Sequence, residues 1–363
     1  MSLTLHEFHH AQSATFQSVN GQEVVVHYGD ATAEYAALKQ SVGLLDFSFR
    51  SRVCLIGADR IRFLHGQVTN DVKRLRGGEG CYAALTTAKG KMQSDLNIFN
   101  LQEELLLDFE SGLTALVSER LNKYIVADDV QVVDVAPHYG LLSVQGPKAA
   151  VVLQSIGRFD RLPDKPLTIV SIADATTGDW YVANHARVGS VGYDIFVPNA
   201  ALETAVNELL TAVKSVGGSA CGWDAFEIAR IEAGIPRFGV DMDESHLASE
   251  CGIENRAISY SKGCYIGQEV LNRIHSMGHV NRELRALHIS TDVQNLPKRG
   301  DKLFHDGKEV GHLTSVAFSP ELKCGVALGY VRRESNAVGN VLQVRADARE
   351  FAAKIVTPIA GAN

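Results

Sequence analysis

The chain has 363 residues, of which 45% are hydrophobic and 21% charged, and a net charge of -7. That length can bury a sizeable core and supports two or three domains, while the acidic balance argues against bulk nucleic-acid binding through overall charge. No apolar run approaches membrane-span length, which excludes a transmembrane role and a membrane partner, and Met1 to His10 lacks the basic and apolar regions of a secretory signal. The expected location is the cytoplasm.

Six cysteines, Cys54, Cys81, Cys221, Cys251, Cys264 and Cys324, are scattered without a Cys-x-x-Cys pair. Such spacing suits neither a zinc site nor a disulfide framework, so no metal is expected and most of the thiols read as core. His6-Glu7-Phe8-His9-His10 formally matches a zinc-binding pattern, but at the N-terminus and without a third ligand it is better read as a solvated first helix.

From Ala31 to Ser41 the pattern is helical and stops at Gly43, and Val53 to Ile56 reads as a short strand. Asp59 is placed to cap a helix in which Ile61, Leu64 and His65 share a face, and Thr69-Asn70-Asp71 offers a second cap. Two strand-like runs, Cys81 to Thr87 and Met92 to Asn100, flank Ala88-Lys89-Gly90-Lys91, a hairpin signature. Alternation on the second run puts Leu96 and Ile98 on one face and Asp95, Asn97 and Phe99 on the other. That mixed face either lies on the surface or lines a polar cavity.

A strand at Leu105 to Phe109 precedes a helix with Leu113, Leu116, Val117, Leu121 and Tyr124 on one side, for which Ser111 is a candidate cap. Strands follow at Val130 to Val135, Leu141 to Val144, Leu167 to Ile172 and Trp180 to Asn184. Leu202, Val206, Leu209, Leu210 and Val213 mark an amphipathic helix, and Trp223 to Ala233 a second one. After Arg282 the texture changes to short strands separated by turn residues, the pattern of a small sandwich or barrel. The organisation expected is α+β, with residues 1–282 forming one region of two subdomains and residues 283–363 an all-β domain.

Lys262-Gly-Cys-Tyr-Ile-Gly-Gln-Glu-Val-Leu-Asn-Arg273 is chemically the most unusual stretch. It places Cys264 two residues after Lys262 and just before a helix with Ile266, Val270, Ile274 and Met277 on one face and a Glu269 to Arg273 pair. A cation and a helix N-terminus both favour a thiolate. Core packing is the commoner fate of a free cysteine, and spacing alone favours it.

Four segments together resemble the YgfZ-type branch of the glycine-cleavage T-protein superfamily. They are Phe63-Leu-His-Gly-Gln-Val-Thr-Asn-Asp71, Lys89-Gly-Lys-Met-Gln-Ser-Asp-Leu96, Arg230-Ile-Glu-Ala-Gly-Ile-Pro236 and Lys262-Gly-Cys-Tyr-Ile-Gly-Gln-Glu269. Gly311-His-Leu-Thr-Ser315 resembles the superfamily's C-terminal barrel. The resemblance implies a mixed α/β folate-binding core around a central channel, a C-terminal β-barrel, and tetrahydrofolate or a one-carbon derivative as cofactor. It implies a role in assembling or repairing iron–sulfur proteins, with those proteins or their assembly factors as partners. By the same resemblance Cys264 is the reactive or cluster-contacting thiol, with Lys262, Gly263, Tyr265, Gly267, Gln268, Glu269 and Arg273 as its motif.

Asp95 matches the carboxylate that a T-protein holds near the reactive nitrogen of the folate, with Asn97 and Phe99 beside it as pterin contacts. Tyr193 stands where the pterin-binding glutamate belongs, and Arg230 is the candidate for an acidic part of the folate. The T-protein motif Gly-Gly-Ile-x-Asp-Asp reads Gly90-Lys-Met-Gln-Ser-Asp95 here, without its second glycine and first acid. The competing expectation is a tetrahydrofolate-dependent aminomethyltransferase.

Overall fold

A computed structural model describes residues 2–159, 161–346 and 349–358. The chain divides into two compact units. The first comprises Met1–Leu85, Ser94–Phe226 and Ser261–Tyr265, and the second Thr86–Gln93, Glu227–Tyr260 and Ile266–Asn363. The architecture is mixed α+β with a C-terminal six-stranded barrel.

Two sheets organise the first unit. One has six strands in the order Ile169–Ile172, Trp180–Asn184, Gly192–Pro198, Tyr139–Gln145, Gly43–Asp46 and Ser219–Ala220, antiparallel apart from the last pair. The other has five, Gly80–Thr86, Met92–Asn100, Leu105–Phe109, Ser51–Ile56 and Gln131–Asp134. Each sheet buries one face under helices. Leu202, Val206, Leu209, Leu210 and Val213 of the helix Leu202–Ser215 join Leu142, Val144, Tyr193, Ile195 and Val197 in one core. Phe63 and Leu64 of Arg60–Gln67, with Val117 and Leu121 of Thr114–Asn122, cover Val53, Leu96, Ile98 and Leu107 in the other. The expected amphipathic faces account for this, because residues two apart on a strand and three or four apart on a helix meet on one side.

Within the second unit, Arg282–Ile289, Cys324–Arg332, Lys308–Ser319, Lys302–His305, Val341–Ala346 and Arg349–Val356 close into a barrel. Alternation sorts one strand onto two buried faces: Ala327 and Val331 point into the barrel core, while Val326, Leu328 and Tyr330 pack outside it with Ile231. A strand covered on both faces reads as an unbroken apolar run, which is the pattern of Gly325 to Val331.

Several capping expectations are corrected. Asp59 makes no side-chain cap; its carboxylate accepts the Asp129 N–H at 3.0 Å and meets Arg62 at 3.2 Å. Thr69 accepts the Ala84 N–H at 2.9 Å across to the next strand, and the Ser111 hydroxyl is buried without a partner. The first helix, His6–Ala11, is not simply solvated: His9 is buried, bonded to Asp46 at 2.9 Å and Tyr28 at 2.8 Å. Among the described residues no three His, Cys, Asp or Glu side chains are grouped to hold a metal, and no helix is long and apolar enough to cross a membrane.

Candidate functional site

Asp95 sits in mid-strand on Met92–Asn100, on the face opposite Leu96 and Ile98. Its Oδ2 accepts the Tyr82 hydroxyl at 2.9 Å. The carboxyl keeps partial contact with solvent yet has lost enough hydration for its pKa to be raised, against the opposing pull of Arg50. Arg50 does not neutralise it by direct pairing, because its Nε donates to Asp108 at 2.8 Å. Asp95 is therefore an acid with an accessible carboxyl and a cation nearby, a suitable acceptor for the N–H of a folate-like ligand.

Behind it lies a charge network that sequence reasoning missed. Arg187 bridges two carboxylates, donating from Nη2 to Asp108 at 3.0 Å and from Nε to Asp194 at 2.9 Å. Asp194 also meets His185 at 2.8 Å and accepts from Ser143 at 2.7 Å. Asp108 and Asp194 are fully buried; Arg50 and Arg187 hold Asp108, and Arg187 and His185 hold Asp194, below the usual carboxylate range despite the burial, Asp194 at about 2. A lone aspartate in Leu105-Leu-Leu-Asp-Phe109, and another in Tyr193-Asp-Ile-Phe196, was the available signal.

Other expected folate contacts fall elsewhere. Asn97 donates to Asp108 at 3.1 Å, and Phe99 is wholly buried edge-on to Phe196, so both belong to the interior of the unit. Tyr193 faces the opposite side of its strand, in the core under the helix Leu202–Ser215, because side chains alternate and Asp194 takes the polar side. In the second unit Arg230 is completely buried and all five of its N–H groups are engaged. They donate to Glu227 at 2.6 and 3.0 Å, Asp241 at 2.6 Å, Ser315 at 2.9 Å and the Ile235 carbonyl at 3.2 Å. It has no donor left for a folate carboxylate.

Ser261–Tyr265, the part of the cysteine motif in the first unit, exposes Cys264, the one cysteine of the six that is exposed. Lys262 is not directed at the thiol. Its ammonium donates to the carbonyls of His65, Val68 and Asn70 at 2.6, 2.6 and 2.8 Å, spending all three protons at the end of the helix Arg60–Gln67. Burial lowers its pKa to about 8. Tyr265 is buried with the Lys262 ammonium 4.8 Å from its ring centre, and its hydroxyl has no partner.

The rest of the motif belongs to the second unit. Gly267 has φ +93°, and a Cβ there would lie 2.6 Å from both the Thr86 hydroxyl and the Thr87 carbonyl. The helix begins only at Gln268 and runs to Met277. Its buried residue is Leu271, whereas Met277 is 86% exposed and Ile266 precedes the helix, so the expected apolar face is shifted. Glu269 and Arg273 are exposed.

An α+β unit built on two sheets with buried carboxylates, joined in one chain to a closed six-stranded barrel, defines the class of protein. The GCVT N-terminal domain model matches residues 5–262, and the glycine cleavage T-protein C-terminal barrel domain matches residues 282–360. The chain belongs to the glycine cleavage T-protein family. Similar relatives include aminomethyltransferases of Nostoc sp., 28% identical over 94% of this chain and 91% of the relative, and Bacillus subtilis, 27% identical over 93% and 92%. A third, from Geobacillus kaustophilus, is 29% identical over 93% and 92%. The crystal structure of glycine cleavage system aminomethyltransferase T from Bartonella henselae superposes with a TM-score of 0.88 at 22% identity, over 99% of this chain and 98% of that one.

Proposed function

We propose that the protein binds tetrahydrofolate or a one-carbon derivative and uses Asp95 to meet its reactive end. The observation that carries this reading is the partly open Asp95 carboxyl, bonded to Tyr82 and not paired by Arg50, which is bonded to Asp108 instead. When bound, the folate supplies the amine nitrogens that carry a one-carbon unit; Asp95 orients an N–H and balances positive charge developing beside it. The near full-length relatives weigh toward aminomethyl transfer more than toward an iron–sulfur role. Incubation with the other glycine-cleavage components and tetrahydrofolate is expected to release ammonia. Release no faster than in a protein-free mixture overturns aminomethyl transfer.

A second reading is favoured by the exposure of Cys264 in the Lys262-Gly-Cys-Tyr-Ile-Gly-Gln-Glu269 segment. On it the protein is a YgfZ-type, cytoplasmic factor for assembly or repair of iron–sulfur proteins. One thiol is too few to hold a cluster, so a partner protein or small thiol supplies the remaining ligands. A knockout strain complemented with Cys264→Ala should lose activity of radical and dehydratase iron–sulfur enzymes; undiminished activity sinks that role. The division into a folate-binding region, residues 1–282, and a barrel domain, residues 283–363, is part of the same proposal.

A further inference from the structure

Where the strand Arg282–Ile289 begins and Cys324–Arg332 ends, the second unit holds a cavity of about 660 Å³ lined by His279, Asn281, Arg282, Arg332, Arg333 and Glu334. The volume is that of a small-molecule site, but no apolar residue lines it, so an apolar ligand is excluded. Arg282 and Arg332 are direct partners in the antiparallel ladder and therefore stand on the same face. Like charges placed opposite one another cost stability. Arg333 adds a third cation, and its N–H donates to the Asn281 carbonyl at 3.0 Å, which ties the segment before one strand to the end of the other. Glu334 is the one acid among these lining residues.

Arg282 is held in place from two sides. Its Nε donates to Glu250 at 3.3 Å, and its guanidinium lies 5.0 Å from the centre of the Tyr330 ring. Among the described residues its two terminal nitrogens have no hydrogen-bond partner, and the guanidinium groups of Arg332 and Arg333 make neither a hydrogen bond nor an ion pair. His312, the register partner of Tyr330, reports the local field: its pKa is lowered by burial and then by Lys302, Arg282 and His246, with Glu309 the weaker opposing charge. A positive face of this kind, on a chain of net charge -7, concentrates anions locally.

We propose that this cavity binds a small polyanion, a metabolite carrying two or more phosphate or carboxylate groups, between Arg282, Arg332 and Arg333. Each guanidinium is a planar fork that pairs two anionic oxygens at once. Three forks offer more donors than a single carboxylate can accept from, which favours a ligand with several anionic groups. The bond from Arg282 to Glu250 and its position over Tyr330 fix one fork before the ligand arrives, which lowers the ordering cost of binding. An anion seated between Arg282 and Arg332 replaces their repulsion by two attractions, so a cost built into the free sheet is recovered on binding. The site draws on none of the residues assigned above to tetrahydrofolate or to the thiol.

The test is isothermal titration calorimetry of the full-length protein with pyrophosphate and, separately, with citrate, at low ionic strength. Saturable binding of at least one of them is expected, weakening as salt is added. Arg332→Gln and Arg333→Gln, at exposed positions that leave Arg282 and its partners in place, should each weaken it by roughly tenfold or more. Lys323→Gln, at the other end of the strand Cys324–Arg332, should leave it unchanged; an equal loss there would mean charge attraction without a built site and overturns the proposal. Binding of pyrophosphate alone assigns the cavity to phosphates, and of citrate alone to polycarboxylates, and either result supports it. Affinities unchanged in both arginine variants overturn it, as does a parent protein that takes up neither anion, including the case in which only an acidic peptide binds.

Discussion

At the scale of single residues, the network around Asp194 shows how burial and pairing oppose one another. Burial alone would keep its carboxyl protonated, but Arg187, His185 and Ser143 converge on it, and its pKa falls to about 2. A carboxylate held below its unfolded value of roughly 3.9 contributes stability that is complete above that value and is lost as pH falls through about 2. Asp194→Asn should therefore cost about 3 kcal/mol at pH 7, because it leaves Arg187 buried against a neutral amide. In urea unfolding the gap from the parent should begin to close near pH 4 and narrow further toward pH 2. A gap of the same size at pH 7 and pH 2 would mean that packing, not charge, is lost. None of this network could be assembled from spacing: Arg50 and Asp108 are 58 residues apart, and only the fold brings them together.

At the scale of elements, the cysteine motif was legible as a loop followed by a helix, but the tasks of its residues were not. Lys262 beside Cys264 in sequence suggested thiol activation, yet the carbonyls of His65, Val68 and Asn70, at and just beyond a helix end, take the ammonium. Lys262→Met should destabilise the protein by about 3 kcal/mol, since it leaves those carbonyls without their donor; chemical unfolding of the first unit measures it. Gly267 carries a different constraint, set by its left-handed backbone and its closeness to Thr86 and Thr87. Gly267→Ala should cost about 2 kcal/mol in chemical unfolding of the second unit, to which it belongs, from strain and a displaced hairpin turn. The amphipathic helix Leu202–Ser215 and the hairpin strand Met92–Asn100 were predictable because period and turn chemistry are local. Which face of the strand Gly192–Pro198 meets the core depends on its neighbours in the sheet, and for that reason Tyr193 was misplaced.

At the scale of the whole molecule, the barrel was readable from its short strands and turns, and the order of strands in the two sheets of the first unit was not. The family match covers both regions, so the remaining question is whether Asp95 holds a ligand as proposed. A carboxyl whose folded pKa is raised costs nothing below its unfolded value and exacts its full cost above the folded one. Asp95→Asn should thus raise the melting temperature of the ligand-free protein at pH 7 and leave it nearly unchanged at pH 3. A ligand at one hundred times its dissociation constant adds about 2.7 kcal/mol to the state it binds. Tetrahydrofolate at such a concentration should therefore raise the melting temperature of the parent and of Cys264→Ala alike, and raise that of Asp95→Asn much less. A residue shaped for binding sacrifices stability in the free protein, and only the combination of a stabilised free form with a lost ligand response has that signature. If Asp95→Asn keeps the full tetrahydrofolate shift, the carboxyl has no part in holding the folate; if the parent shows no shift at all, the folate reading itself falls.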